Sequence, residues 1–135
     1  VVTFVVDRTA FVSGNLAFQI SGQGPYFGQA GWFAYLHAEK LPSAIERYQT
    51  EMKRILGVLE TSLEGGKQWL VGDKCTYADL AFAHYNDLVD VFLGYEKGET
   101  LEGFPNVKAW HGRMTGKASW GKIKKMREDL VEKYP

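Results

Sequence analysis

A single thiol, three imidazoles and a spaced Thr–Asp pair are the side chains of this sequence with the strongest claim to chemistry. Cys75 is the only cysteine. As a thiolate it would be a nucleophile, but only if a nearby cation or helix N-terminus lowered its pKa. Lys74 is the one sequence neighbour that could do so, so Cys75 reads as a small, half-buried filler. His37, His84 and His111 could act as bases or metal ligands, yet they fall on three different expected helices with no metal-ligand spacing. No Ser/His/Asp arrangement, metal cluster or phosphate loop is recognisable. Thr76 and Asp79 have the spacing of a capping box just ahead of an apolar run. The threonine hydroxyl accepts the N–H of Asp79, the carboxylate reaches back to the N–H of Thr76, and the negative charge sits at the positive end of the helix. Asp79 is therefore expected to be a cap and fold determinant, not a catalytic acid.

The elements that must position these groups are helical. The run after Thr76 carries Leu80, Ala81, Phe82, Ala83, Tyr85, Leu88, Val89, Val91 and Phe92. It is apolar on nearly every face and predicts a helix in the middle of the domain. Upstream, Ile45, Tyr48, Met52, Ile55, Leu56, Leu59 and Leu63 keep a period of about 3.6 residues. Ser43-Ala-Ile-Glu46 reads as the capping box of that helix, and Gly65-Gly66 as its end. From Leu16 to Glu39 the pattern is helical but interrupted by Gly22, Gly24 and Pro25; the proline lacks a donor and requires a kink or restart. Gly28 and Gly31 leave room for another helix to approach. A polar loop spans Gly94 to Gly103, Phe104-Pro105-Asn106 starts a further helix, and Ser119 is the expected cap of a last one bearing Ile123, Met126, Leu130, Val131 and Tyr134. Residues 1–15 differ from the rest. Val1 to Val6 are strand formers, and Phe11-Val12-Ser13-Gly14 reads as ending in a turn. The expected class is all-α, with five to six helices in a domain over residues 16–135 and a divergent segment over 1–15.

At 135 residues the chain supports one domain with a real core,. Sixteen basic residues balance sixteen acidic ones, which gives no argument for nucleic acid. Lys122, Lys124, Lys125 and Arg127 alternate with Ile123 and Met126 and read as a solvated helix face. One cysteine points to a reducing compartment and a cytoplasmic location. No apolar run approaches the ~18–20 residues of a membrane span. The opening lacks the basic flank and cleavage site of a signal peptide, and its start at Val1 rather than Met reads as processed, trimmed or incomplete.

The segment Val71-Gly-Asp-Lys-Cys-Thr-Tyr-Ala-Asp-Leu80 resembles the V-G-x-x-x-[ST]-x-A-D-[LI] signature of the glutathione transferase C-terminal domain. Gly24-Pro25-Tyr-Phe-Gly28-Gln29, Ser43 to Tyr48, Arg54 to Leu59, Phe104-Pro-Asn-Val107 and Trp110 are similar to the fungal, nitrogen-regulator-like (Ure-type) class. The resemblance covers Leu16 to Tyr134. It implies the C-terminal helical bundle of a two-domain protein whose other, thioredoxin-like domain binds and ionises glutathione. The marks of that other domain are a cis-proline and a Glu-Ser pair, and neither is recognisable here. What the resemblance implies for this chain is the hydrophobic substrate pocket and a homodimer interface, with glutathione as co-substrate. No cofactor or metal is implied, and the partner is a small hydrophobic or electrophilic molecule.

On that basis Gln23, Tyr26, Gln29, Phe33 and Trp120 are the pocket candidates. The polar members would donate to a ligand and the aromatic ones would supply an apolar wall. No catalytic residue can be named. The alternatives are a non-catalytic dimerisation or interaction module, a hydrophobic-ligand binder, and an enzyme acting without glutathione.

Overall fold

The structure is a computed structural model and describes residues 8–96 and 98–133. The described residues are all-α: α1 (Arg8–Phe18), α2 (Gly24–Gly31), α3 (Pro42–Ser62), α4 (Tyr77–Asn86), α5 (Val89–Leu93), α6 (Glu99–Glu102), α7 (Pro105–Thr115) and α8 (Ala118–Lys133). The expected helix count is exceeded because the central apolar run breaks between α4 and α5, and because one helical turn, α6, forms inside the Gly94–Gly103 loop.

α1 and α2 belong to one helical run. Two π-helical segments, Gln19–Gln23 and Trp32–Leu36, flank α2. The chain answers Pro25 by widening: the Gly24 N–H bonds to the carbonyl of Gln19, five residues back. A π turn opens the backbone where a proline would otherwise crowd the preceding turn. Phe11 to Gly14 lie within α1, which corrects the expected turn. Val12 is what holds that stretch helical, buried against Val71 and Ala78; tertiary packing overrides glycine's weak local preference. The expected strand at Val1 to Val6 lies outside the described residues, as does Tyr134.

α3 begins earlier than its serine suggested. Leu41 is the N-cap, extended and without a side-chain cap, and Pro42 occupies the first turn. Proline suits that position because its missing N–H is one the helix could not use. Ser43 is consequently inside the helix, and its expected capping box does not form. The same correction applies to Ser119, which lies inside α8. α3 buries Met52, Ile55, Leu56 and Leu59. The chain leaves it through Gly65 and Gly66, with φ of +74° and +77°, values that favour glycine.

In the main core cluster Phe27, Met52, Ile55, Leu56, Phe82, Val107, Trp110 and Met114 are at most 1% exposed, and Val12, Val71 and Ala78 form a smaller second one. α7 enters it with a cap supplied from another helix. The Glu60 carboxylate of α3 accepts the N–H groups of Asn106 and Val107, each at 2.9 Å, satisfying two donors that a helix N-terminus leaves unpaired. α4 is less enclosed than its composition implied. Ala78, Asp79, Phe82, Ala83 and Asn86 are buried, but Tyr77 and Leu80 are 60% and 48% exposed. α8 buries no residue fully, and Ile123, Met126, Leu130 and Val131 are all more than half exposed.

Candidate functional site

The motif that opened the family comparison is a hydrogen-bonding node. Gly72 takes a φ of +69°, and a Cβ there would lie 2.8 Å from the Arg8 guanidinium, so the Val71-Gly72 turn requires glycine. The capping box between Thr76 and Asp79 closes. Asp79 is fully buried, and its two oxygens serve different purposes. Oδ2 accepts the Thr76 N–H at 2.7 Å and the Thr76 hydroxyl at 2.9 Å. Oδ1 accepts the Leu70 N–H and the indole N–H of Trp110, both at 2.9 Å. One oxygen caps α4; the other ties the preceding loop and α7 to it. Both oxygens of this carboxylate are occupied by donors.

The five pocket candidates are placed in four different surroundings. Gln23 is fully buried, and its Nε2 donates to Asn86 Oδ1 at 2.8 Å. Gln23 Oε1 and Asn86 Nδ2 are left without partners. Tyr26 and Phe33 are half-buried and are brought together by Tyr48 of α3. The Phe33 ring stacks on Tyr48 at 5.5 Å with 9° between planes, and Tyr26 lies 6.3 Å from it, tilted. His37 extends this aromatic wall, 5.2 Å from Phe33. Gln29 is exposed on α2. Trp120, early in α8, packs on the core, and its indole N–H is buried without a partner. Tyr48 was read only as a core position of α3, and Asn86 was not singled out. The period of α3 places Tyr48 on the inward face, but only the packing of α2 on α3 shows that it joins two candidates.

A second polar node escaped sequence reasoning altogether. His111 of α7 sits beside Asp87, with Nε2 3.3 Å from Oδ1, and Lys124 of α8 lies 3.5 Å from the other carboxylate oxygen. Burial holds the His111 pKa below its ordinary value, against the opposing pull of Asp87. Asp90, one helical turn on, accepts the N–H groups of Gly98 at 2.6 Å and Thr100 at 2.9 Å. Burial alone would raise its pKa. The Thr100 hydroxyl beside it, though outside normal bonding geometry, and these two amides outweigh burial and lower it. The signals were present as acidic and basic residues, but they come from four separate segments.

Cys75 is not an activated thiol. Burial raises its pKa above the ordinary value, the charge of Asp79 raises it further, and Lys117 opposes. The three histidines remain apart: His37 bonds through Nδ1 to the Glu39 carbonyl, His84 rests against Tyr85, and His111 joins the node just described. Among the described residues no three His, Cys, Asp or Glu side chains converge as a metal site. No described helix is long and apolar enough to cross a membrane.

Comparison with known proteins gives a consistent picture. The family model for the glutathione S-transferase C-terminal domain matches residues 25–117. The glutathione S-transferase-like protein tpcF of Aspergillus fumigatus is 50% identical over 106 residues, covering 73% of this chain and 47% of that protein. The transcriptional regulator URE2 of Saccharomyces cerevisiae is 35% identical over 130 residues, covering 73% of this chain and 36% of the regulator. The crystal structure of the glutathione transferase URE2P8 from Phanerochaete chrysosporium with oxidized glutathione superposes with a TM-score of 0.85 at 36% identity, over 97% of this chain and 58% of that one. The chain spans about half the length of the curated transferase relatives it matches.

Proposed function

The chain belongs to the glutathione S-transferase C-terminal domain family, in its Ure-type class, and from that premise we propose that it is the half of a transferase-like protein that shapes the apolar substrate pocket and forms the subunit contact. The observation that carries this reading is the aromatic wall of Tyr26, Phe33 and Tyr48. It is built on the widened α1–α2 run and left partly open. Its substrate is a small hydrophobic or electrophilic molecule, with Gln29 and Trp120 as further contacts and Gln23 holding the wall through Asn86. These residues orient a ligand and exclude water. They do not make a nucleophile, because a transferase needs a thiolate at neutral pH and the one thiol here is shifted the wrong way. Glutathione is the co-substrate, held and ionised by a glutathione-binding part that acts together with this one. The setting is cytoplasmic, without nucleic acid or membrane as partner.

The test is conjugation of glutathione to 1-chloro-2,4-dinitrobenzene. The 135-residue chain alone gives no turnover above the uncatalysed rate. Joined to a glutathione-binding domain of a Ure-type relative, it gives turnover that falls on Phe33→Ala. Turnover by the chain alone would overturn the proposal.

A second reading, a non-catalytic dimerisation module, is favoured by Gly28, where α2 has open space within 4 Å of an added Cβ. A monomer in sedimentation at micromolar concentration would rule this second reading out, since a module whose purpose is to dimerise does not stay single; a dimer fits both readings, and the conjugation assay then decides between them.

A further inference from the structure

The basic residues of α8 are not all a solvated face. Lys122 and Lys125 are exposed, but Lys124 and Arg127, nearly one turn apart, form one side of a cleft of about 260 Å³. Its opposite side comes from the α4–α5 junction and the chain just after α5, through Leu88, Val91 and Tyr95. Asp87 and Asp90 also line it, and alone they would make it acidic. Both are already engaged: Asp87 by His111 and Lys124, Asp90 by the Gly98 and Thr100 amides. Arg127 has no carboxylate within ion-pair distance among the described residues. A third cation, Lys53 of α3, donates to the Tyr95 hydroxyl at 2.9 Å and lies 5.3 Å from its ring centre, fixing that ring at the rim. Val91 stays 52% exposed, so the floor is apolar and open.

An unpaired guanidinium beside an apolar floor and a fixed aromatic ring is complementary to one kind of ligand. We propose that this cleft binds a small apolar carboxylate, its carboxyl group held by Arg127 and its body lying on Leu88, Val91 and Tyr95. A guanidinium matches a carboxylate with two parallel N–H donors, which an ammonium cannot do. The volume is at or below the small end of ordinary ligand pockets, about 300–1,000 Å³, so the ligand is one ring or a short chain. The cleft shares no lining residue with the Tyr26–Phe33–Tyr48 wall, and the proposal does not depend on glutathione chemistry.

The test is an amide-shift titration of the ¹⁵N-labelled chain at pH 7 with 3-phenylpropanoate and, separately, with neutral 3-phenylpropan-1-ol. The carboxylate produces saturable shifts centred on Leu88, Val91, Tyr95 and Arg127, and the alcohol binds at least about tenfold more weakly. Arg127→Glu lowers carboxylate affinity by about tenfold or more, and Arg127→Lys lowers it less. Val91→Asp abolishes binding from the other wall without altering a basic residue. Both positions are exposed, so the variants keep the parent's dispersed amide spectrum. Equal binding of acid and alcohol, an unchanged affinity in Arg127→Glu, shifts centred elsewhere, or no saturable shift would each overturn the proposal.

Discussion

The two oxygens of Asp79 can be separated by mutation, and their energetic roles predicted independently. Asp79→Ala removes the acceptor of four donors at once: Leu70 N–H, Thr76 N–H, the Thr76 hydroxyl and Trp110 Nε1–H. The hydroxyl can turn to water, but the indole is fully buried and stays unpaired. Removing one partner from a buried, charged hydrogen-bond set costs about 3–5 kcal/mol; about 4 kcal/mol is expected here. With unfolding entropy of about 2.1 cal/mol/K per residue over 135 residues, that lowers Tm by roughly 14 °C. Asp79→Asn keeps an oxygen for Leu70 and Trp110 but sets an NH₂ against the Thr76 amide, and should cost about 2 kcal/mol. Trp110→Phe removes one donor from a carboxylate that keeps three, at about 1.5 kcal/mol. The decisive comparison is the double variant. In the Asp79→Ala background Trp110→Phe deletes an orphan donor, so its effect should be near zero or favourable. In the Asp79→Asn background it should cost nearly its full amount. Urea unfolding followed by far-UV circular dichroism measures all five variants. If Trp110→Phe costs the same with and without the Asp79 carboxylate, the bond between them does not carry the stability assigned to it.

Three further outcomes follow from local geometry. Gly31→Ala would place a Cβ 2.8 Å from the Phe92 ring and should destabilise by about 1–3 kcal/mol, whereas Gly28→Ala meets open space and should gain up to about 1 kcal/mol from helix propensity; thermal melts in which the two variants behave alike would refute the distinction. His111 is held neutral by burial, below its ordinary value of 6.5. As pH falls through 6.5 the unfolded chain takes up a proton that the native state does not, so this contribution is complete above 6.5 and is lost below it. His111→Gln should therefore flatten the stability decline between about pH 7 and pH 5, and superimposable profiles would contradict the assignment. Gln23→Met strands the Asn86 amide in the core and should cost about 2 kcal/mol. Adding Asn86→Leu should recover part of that, a coupling of about 1 kcal/mol that a double-mutant cycle detects; strictly additive losses would show that the two amides do not depend on each other.

Features that could be read from the sequence share a short range. Thr76 and Asp79 are three residues apart, and backbone geometry alone brings them together, so their box was evident. Trp110 is 31 residues from Asp79 and Glu60 is 46 from Asn106; neither bond follows from spacing, since each exists only because α7 packs into the core. The two misplaced serine caps show the same limit at shorter range. A serine suits an N-cap, but whether it occupies one depends on where the backbone turns helical. At α3 that point is fixed by Pro42, whose rigid φ is already that of a first turn. The π segments were hidden too. Pro25 announced a disturbance, and the form it takes is set by the need to keep Phe27 and Ala30 in the core while carrying the helix through.

Site chemistry was harder to read than fold because it depends on which charges cancel. The sequence shows Asp87, Asp90, Lys124 and Arg127 as four ordinary surface charges summing to zero. Folding makes them unequal. Asp90 is consumed by amides of its own following loop, a contact invisible to any count of opposite charges. Asp87 is shared between a buried imidazole and Lys124. What remains uncompensated is one guanidinium over an apolar floor. The same argument runs in reverse at Asp79, which looks like an acid poised at a helix start and is instead saturated by four donors. In both places what a group can do is fixed by the hydrogen bonds it has left, and that number is a property of the packed chain.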